Sequence, residues 1–257
     1  MEKLNILNVT AENILDYGLC GYKNMKNEGV IKKVNWFRER FKEGLIYKIL
    51  VAEDNKQIGA IDYVKGEYAW RPIEADGYMV IGCIYIMSKV YKGVGYGKML
   101  LDECEKDAKR LGMKGVASVT RKGSWMVSSG IFTKNGYEVV DAAKKGFELV
   151  VKKFDSKYDS PKFCKNLEEK AAKYKDGLYM FVSNQCPYID KAIKEISKVA
   201  CEDYGIKANL VELKSSNDIK ESPCAFGTFC MVYNGKLVAD NPISSTRFKN
   251  IMNKLLN

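Results

Sequence analysis

The chain has 257 residues, 46% of them hydrophobic and 29% charged, and a formal net charge of +10. That length is enough for two domains, and the composition is ordinary for a globular protein. The complete lack of histidine excludes zinc sites of the Cys/His kind and nucleophiles activated by a histidine base, and no metal is predicted. No apolar run is long enough to span a bilayer, and residues 1–5 lack the apolar core of a signal peptide, so we expect a cytoplasmic protein.

The pattern of cysteines argues against a disulfide framework, and the pattern of positive charge argues against binding to nucleic acid or to a membrane. Eight cysteines have irregular spacing without a C-x-x-C motif, which in a cytoplasmic chain indicates buried thiols. The lysines are spread along the chain and form no basic stripe interleaved with aromatic residues, so neither nucleic acid nor membrane is an expected partner. The net charge favours an anionic cofactor instead.

Hydrophobic periodicity predicts the elements of the first half of the chain. A helix over residues 30–42 places Val30, Val34, Phe37 and Phe41 on one face. The other predicted elements are a short helix over 11–18, a hairpin of strands 46–52 and 58–63 joined by the turn 53–57, a loop over 65–76, a long buried strand over 78–87, a helix ending at Gly112, a strand over 116–119, a short helix over 125–135, and strands over 137–140 and 147–154.

Residues 155–161 lack periodicity and predict a linker, which divides the chain near residue 157 into domains over 1–156 and 157–257. The elements predicted after it are a helix over 162–174, a strand over 178–182, a helix over 187–204, strands over 208–213 and 229–233, a two-residue turn at Asn234-Gly235 leading to a strand over 237–239, and a last helix capped by Ser244 or Ser245. This alternation predicts a second, smaller α/β domain.

Three glycines at alternate positions, Gly93, Gly95 and Gly97, follow the long strand and open the next helix. Backbone N–H groups without a Cβ beside them, at the positive end of a helix dipole, form an anion site suited to a pyrophosphate. A tight strand-to-helix turn without any ligand has the same spacing. A dinucleotide-binding fold is disfavoured because a hairpin precedes the turn, and a P-loop because Met99 follows Lys98 where Ser or Thr is required.

The segment Lys92-Gly93-Val94-Gly95-Tyr96-Gly97 and the later step Asn135-Gly136-Tyr137 together resemble the motifs of the GNAT superfamily of N-acetyltransferases. The resemblance covers residues 1–154 and implies an α/β fold, with a mixed sheet flanked by helices, and acetyl-CoA as the cofactor. Lys92 stands where the family usually has Gln or Arg, which keeps the charge but loses the fork-shaped donor.

The resemblance also implies the residues that bind the cofactor. The amides of Gly93 to Lys98 hold the pyrophosphate, and the end of the long strand separates from its neighbour and pairs with the pantetheine. A strand N–H then stabilises the oxyanion formed at the thioester carbonyl. The implied cofactor-binding residues are Tyr85, Ile86, Met87, Lys92, Gly93, Val94, Gly95, Tyr96, Gly97, Lys98, Trp125 and Phe132.

The chain departs from the family in the side chains that would serve as general acid, as general base and as contacts to the acceptor. Phe132 occupies the position where the family often has a tyrosine that protonates the leaving thiolate. For the base, Glu74 and Asp76 precede the long strand, with exposed loop carboxylates as the alternative. We predict Glu74 as catalytic. Trp70 is predicted to contact the substrate, although a tryptophan in such a loop is also often a core residue.

The second domain carries Gln185-Cys186-Pro187-Tyr188 at a strand–helix junction, where a helix N-terminus lowers the pKa of a thiol. This segment resembles the thioredoxin/glutaredoxin superfamily, except that Ile189 replaces the second cysteine. A monothiol, binding or structural role remains open for Cys186, which we include as a catalytic candidate. The superfamily's cis-proline region corresponds to residues 222–228, and Cys224 and Cys230 lie in or beside it.

With Arg247 to Ile251 near its end, the whole chain resembles bacterial two-domain acetyltransferases with a YoaP-like C-terminal region. The resemblance implies transfer of an acetyl group to an unidentified amine, a small molecule or a peptide, with the thioredoxin-like tail contributing to acceptor recognition. Two alternatives stay open: a monothiol redox or binding protein centred on Cys186 with a regulatory acetyl-CoA site, and a non-catalytic acetyl-CoA sensor. The oligomeric state is also open, a dimer included.

Overall fold

The computed structural model describes residues 4–22, 24–53 and 56–256, so Asp54 and Asn55 of the predicted turn 53–57 lie outside the described residues. The chain forms two compact units. The N-terminal unit comprises Met1–Met25, Phe37–Ala69 and Ile73–Phe163, and the C-terminal unit comprises Lys26–Trp36, Trp70–Pro72 and Cys164–Asn257. Two short segments from the first half of the chain therefore belong to the C-terminal unit. The domain boundary near residue 157 takes no account of them and stays a prediction.

A seven-stranded mixed sheet forms the centre of the N-terminal unit, in the order β1-β2-β3-β5-β6-β8-β7. Its strands are β1 (Asn5–Val9), β2 (Ile46–Val51), β3 (Gln57–Lys65), β5 (Met79–Ile86), β6 (Gly115–Arg121), β7 (Glu138–Ala143) and β8 (Phe147–Lys153). Neighbouring strands are antiparallel except β5 and β6. A separate pair joins β4 (Ile73–Glu74) to β9 (Lys162–Phe163). The predicted α/β class is confirmed.

Helices cover both faces of this sheet. They are α2 (Tyr96–Arg110), the short α3 (Gly130–Thr133) and the residues from Phe37 onward of α1 (Glu28–Lys42), which belong to this unit. Side chains alternate along β2, so Tyr47 stacks on Phe37 of α1 at a ring-centroid distance of 4.6 Å, whereas Lys48 reaches Glu103 of α2. The predicted apolar stripe of α2 is buried against the sheet, except Leu111, which follows the end of the helix and is exposed.

Three predicted helices are wrong or too long. Residues 11–18 form turns, in which Ile14 N donates to Thr10 O at 3.1 Å and Asp16 N donates to Asn13 O at 3.0 Å. The helix over 125–135 shrinks to α3, since Trp125 has a φ of 75° that no right-handed helix allows. The segment 162–174 begins with strand β9 and ends as a 3-10 helix, Glu168–Lys173.

The C-terminal unit contains a four-stranded sheet in the order β11-β10-β12-β13. Its elements are β10 (Leu178–Val182), α4 (Tyr188–Tyr204), β11 (Ala208–Glu212), α5 (Ser216–Lys220), β12 (Phe229–Tyr233), β13 (Lys236–Ala239) and α6 (Ser245–Leu256). Strands β10 and β11 are parallel and the other pairs antiparallel. Asn234 and Gly235 have φ values of 46° and 77°, which confirms the predicted two-residue hairpin turn.

The caps of α6 give a direct stability test. Ser244 Oγ accepts from Arg247 N at 3.2 Å, so Ser244 is the N-cap and Ser245 the first helical residue. We expect Ser244→Ala to lower the free energy of unfolding by about 1 kcal/mol, because it leaves a helix N–H without its acceptor. Ser245→Ala is the matched control and should change little. Urea unfolding followed by circular dichroism measures both, and an equal effect of the two substitutions would contradict the assignment.

Among the described residues, no helix combines the length and the apolar character that crossing a membrane requires.

Candidate active site

The glycine turn joins β5 to α2 and lies on the surface of the N-terminal unit. Gly93 and Gly95 have φ values of 82° and 94°, a region that favours glycine. A Cβ at either position would meet no atom within 4 Å, so the space beside this backbone is open. Gly95 is the N-cap of α2 and has no side chain with which to cap the helix. The turn therefore presents bare backbone to any ligand.

The first turn of α2 supplies donors for that ligand. The first helical hydrogen bond runs from Met99 N to Gly95 O at 3.1 Å. The amides of Tyr96, Gly97 and Lys98 precede it and have no acceptor within the helix. These N–H groups carry the positive end of the helix dipole. This geometry is compatible with the predicted anion site, which stays a prediction.

Strand β5 separates from β6 before it reaches the glycine turn. The two strands pair from Met79↔Val116 to Ile81↔Ser118, and the pairing ends there although β5 continues to Ile86 and β6 to Arg121. On its other edge β5 stays paired with β3 up to Ile86. Among the described residues, the β6-facing edge of the segment 84–86 has no strand partner. The predicted separation is present, and it leaves this edge of β5 free on the way to the glycine turn.

The side chains predicted near the cofactor lie in different surroundings. The Tyr85 hydroxyl accepts from Gln57 Nε2 at 3.3 Å and lies 3.4 Å from the Tyr47 hydroxyl. Burial raises the pKa values of both tyrosines, so they remain neutral at physiological pH. Phe132 is 1% exposed and its ring packs edge-on against another core ring, Tyr137, at 5.3 Å.

Other predicted cofactor residues lie on the surface. Lys92 and Val94 of the turn are exposed, and the Lys98 ammonium pairs with Asp102 at 2.5 Å. Met87 and Trp125 are also exposed. Gly97 lies closer to the protein, because a Cβ there would stand 2.5 Å from the Ile131 Cδ1 atom. The binding roles of these residues stay predictions.

Glu74 lies at the wrong end of β5 for contact with the glycine turn. It borders a cavity of about 230 Å³ together with Tyr78 and Lys114, which directly precede β5 and β6. The glycine turn follows the opposite end of β5. The Glu74 carboxylate is exposed and pairs with Lys162 Nζ at 3.2 Å. Its catalytic role stays a prediction, and this position counts against it.

Trp70 is 3% exposed within the C-terminal unit, and its ring meets Trp36 edge-on at a centroid distance of 5.1 Å. Edge-on aromatic pairs of this kind stabilise cores. The placement agrees with the core interpretation of the tryptophans. The Trp70 side chain is buried in this structure, so it presents no surface for the substrate contact that the sequence predicted.

Cys186 is half-buried in the loop that precedes α4, where its carbonyl accepts from Ile189 N at 3.2 Å. The loop packs on the first turns of α1 within the C-terminal unit. Lys33 Nζ donates to Gln185 O at 2.5 Å, and a Cβ on Gly29 would stand 2.3 Å from Pro187 O. No periodicity in the sequence indicated this contact. The chemical role of Cys186 stays a prediction.

A buried charge cluster between β2 and α2 was also missed. Lys48 Nζ lies 2.7 Å from Glu103 and 2.9 Å from Asp107, and the Tyr63 hydroxyl donates to Asp107 at 2.7 Å. Burial works to lower the pKa of Lys48, but its hydrogen bonds to the two carboxylates outweigh burial and raise it. The signal was available, because a lysine stands inside the apolar run of β2.

With this geometry established, known proteins provide a comparison. The chain is similar to the YoaP-like family over residues 208–250. It is similar along nearly its whole length to a protein of Bacillus subtilis strain 168. That relative, named uncharacterized N-acetyltransferase YoaP, is 27% identical over 253 residues, which cover 97% of this chain and 98% of the relative. These similarities support the resemblance to GNAT N-acetyltransferases.

Solved structures with a similar arrangement match the chain over part of its length. An acetyltransferase of the GNAT family from Staphylococcus aureus Mu50 is 15% identical and covers 60% of this chain and 100% of its own, with a TM-score of 0.43. The PaiA N-acetyltransferase of Thermoplasma acidophilum, solved in complex with coenzyme A, is 17% identical and covers 59% and 99%, with a TM-score of 0.42.

Proposed function

We propose that the protein is an acetyl-CoA-dependent N-acetyltransferase of the GNAT type that acetylates an amine. One observation carries the proposal: β5 leaves β6 after Ile81 and leads directly into an open glycine turn at the N-terminus of a 15-residue helix. A free strand edge followed by the amides of a helix N-terminus fits a long ligand with a phosphate group at one point and a reactive group further along. The full-length similarity to a protein named as an N-acetyltransferase supports the same function.

In this proposal each part of the site has one task. The amides of Gly93 to Lys98 bind the pyrophosphate through the open backbone and the helix dipole. The free edge of residues 84–86 aligns the pantetheine arm. When bound, acetyl-CoA supplies a thioester that a neutral amine attacks. A β5 N–H on this free edge would donate to the carbonyl oxygen, where negative charge develops during attack. The protein contributes mainly by placing amine and thioester together.

Proton transfer differs from the pattern that the family resemblance implies. Phe132 carries no hydroxyl and is packed in the core, so it cannot protonate the leaving thiolate. We propose that water does so. The amine must lose its proton before attack, and a carboxylate general base for that step contributes about 10²–10⁴-fold where one is used.

Substitution of Glu74 tests whether this carboxylate is the general base. We expect Glu74→Gln to leave kcat/KM within about threefold, because the carboxylate lies at the far end of β5 and pairs with Lys162. The measurement is kcat/KM against pH by coenzyme A thiol release, and Asp76→Asn tests the other carboxylate that the sequence offers as a base. A loss of about 100-fold for Glu74→Gln alone would show that Glu74 is the base.

We further propose that the C-terminal unit is thioredoxin-like and contributes to acceptor recognition. Its strand order, with a parallel pair β10–β11 followed by the antiparallel β12 and β13, supports this fold. The unit also takes in residues Lys26–Trp36 and Trp70–Pro72 from the first half of the chain.

Calorimetric titration of the full chain with acetyl-CoA, followed by thiol release across a panel of amines and lysine peptides, tests the function. We expect saturable binding, and thiol release that depends on one acceptor class. Absence of acetyl-CoA binding would overturn the proposal. Binding without thiol release for any acceptor would instead favour the acetyl-CoA sensor that the sequence left open.

A further inference from the structure

Two cysteines lie together in the core of the C-terminal unit, away from the glycine turn. Cys224 is 2% exposed and Cys230 is 0% exposed. Cys230 belongs to β12, where it pairs with Phe181 of β10, and Cys224 lies in the loop that leads into β12. That loop turns back on itself through a hydrogen bond from Gly227 N to Cys224 O at 3.1 Å. The turn brings the start of the loop back to the strand that carries the second thiol.

The contacts of both sulfur atoms place them side by side. Cys224 Sγ lies 3.5 Å from the carbonyl oxygen of Phe229, the residue that precedes Cys230. Cys230 Sγ lies 4.0 Å from the hydroxyl of Ser222, two residues before Cys224. Both contacts join the segment 222–224 to residues 229–230, so the two thiols are neighbours in the core of the unit.

The two sulfur atoms differ in their surroundings. Burial works to raise the pKa of Cys224, but hydrogen bonds from Cys230 and from the N–H groups of Gly227 and Phe226 hold that pKa below its ordinary value. Burial and the neighbouring Cys224 raise the pKa of Cys230. Cys224 is therefore the more acidic thiol of the two. Thiol–disulfide exchange begins at the sulfur that loses its proton more readily, which assigns the first attack to Cys224.

We propose that Cys224 and Cys230 are a redox-active pair that forms a reversible internal disulfide by exchange with a low-molecular-weight disulfide. All eight cysteines are outside disulfides in the described part of the chain, so the structure represents the reduced state. The pair differs from a monothiol site at Cys186, because both reacting sulfurs belong to the loop 222–228 and to β12. Neither cysteine has a role in the proposed acetyl transfer.

The exchange balances as two steps. The Cys224 thiolate attacks one sulfur of the small disulfide, forms a mixed disulfide and releases one small thiolate, which takes up the Cys224 proton. Cys230 then attacks the Cys224 sulfur, and its proton goes to the second small thiolate. Two protein thiols are oxidised to one disulfide, and the small disulfide is reduced to two thiols. Because both sulfurs are buried, the loop 222–228 must open for the first step.

Tryptic mapping tests the proposal on the unmodified full chain. Cleavage after Lys220 and Lys236 places both cysteines in one peptide, residues 221–236, whereas Cys186 and Cys201 fall in other peptides. The protein is equilibrated with oxidised and reduced glutathione at several ratios, trapped with an alkylating agent, and mapped by mass spectrometry. We expect a form of the 221–236 peptide that is lighter by two hydrogen atoms and carries no alkyl group. Its share of the total peptide should rise with the share of oxidised glutathione.

The variants separate this pair from other thiol chemistry. Cys224→Ser and Cys230→Ser should each abolish the change in the 221–236 peptide, while Cys201→Ser, at an exposed thiol, should leave it intact. Two results would overturn the proposal: both cysteines staying alkylatable at every ratio, or disulfides that join either one to Cys186. The wild-type measurement decides the question even if a serine variant does not fold. It is also independent of acetyl transfer.

Discussion

Replacing Asp107 by alanine is expected to lower the free energy of unfolding of the N-terminal unit by about 3–5 kcal/mol. The substitution removes a carboxylate that lies 2.9 Å from Lys48 Nζ and accepts from the Tyr63 hydroxyl at 2.7 Å. The Lys48 side chain is only 7% exposed, and its charge would keep a single carboxylate partner, Glu103. The buried Tyr63 hydroxyl would also lose its acceptor.

Asp102→Ala is the matched control, because Asp102 lies on the same helix in an exposed pair with Lys98. An exposed pair of this kind contributes at most about 1 kcal/mol. Urea unfolding gives the free energies, and hydrogen exchange in peptides from β2 and β3 shows whether the loss is local to the cluster. Equal effects of the two substitutions would show that the buried cluster contributes no more than a surface pair.

The same cluster predicts the direction of the pH dependence. Desolvation works to raise the pKa of Asp107, but hydrogen bonds from Lys48 and Tyr63 hold it below its ordinary value. A carboxylate with a lowered pKa stabilises the folded state above its unfolded pKa of about 3.9, and that contribution is lost as the pH falls through the folded pKa. We therefore expect the stability difference between wild type and Asp107→Asn to shrink below about pH 4, measured by urea unfolding at each pH.

The sequence predicted the elements that have strong local signals and missed a half-exposed strand and a very short helix. Strand β10, strand β12 and the Asn234-Gly235 turn were placed correctly, because their apolar runs end at residues with clear turn chemistry. Strand β1 was missed because its residues are mostly half-exposed and carry little alternation. Helix α5 was missed because it has only five residues, and its capping box at Ser215 and Asp218 is a weak signal in a polar segment.

In the candidate site, the glycine turn could be predicted from the sequence, because Gly93 and Gly95 adopt a positive φ that favours glycine. The positions of residues that depend on tertiary contacts could not be predicted in this way. Glu74 precedes the first residue of β5, whereas the glycine turn follows the last residue of the same strand, so the two lie at opposite ends of β5. Trp70 lies in a polar loop, yet it packs on Trp36, 34 positions earlier in the chain. Local pattern does not encode which end of a strand a loop residue will face.

Replacing Gly95 by alanine is expected to weaken acetyl-CoA binding by about 10–100-fold, the loss of one or two hydrogen bonds to a charged group. Gly95 has a φ of 94° and sets the direction of the N–H groups at the start of α2. An alanine there is strained by about 1–2 kcal/mol, and the turn relieves this strain by rotating its amides away from the anion site.

Gly112 provides a matched control for that strain. It follows the other end of α2, has a φ of 67°, and would also place a Cβ where no atom lies within 4 Å. Gly112→Ala should therefore lower the free energy of unfolding by about the same 1–2 kcal/mol and leave the acetyl-CoA dissociation constant unchanged. Calorimetric titration and urea unfolding on both variants separate the two effects. If the variants bind acetyl-CoA equally well, the glycine turn is a structural turn and the anion site lies elsewhere, because strain alone would then explain why glycine occupies position 95.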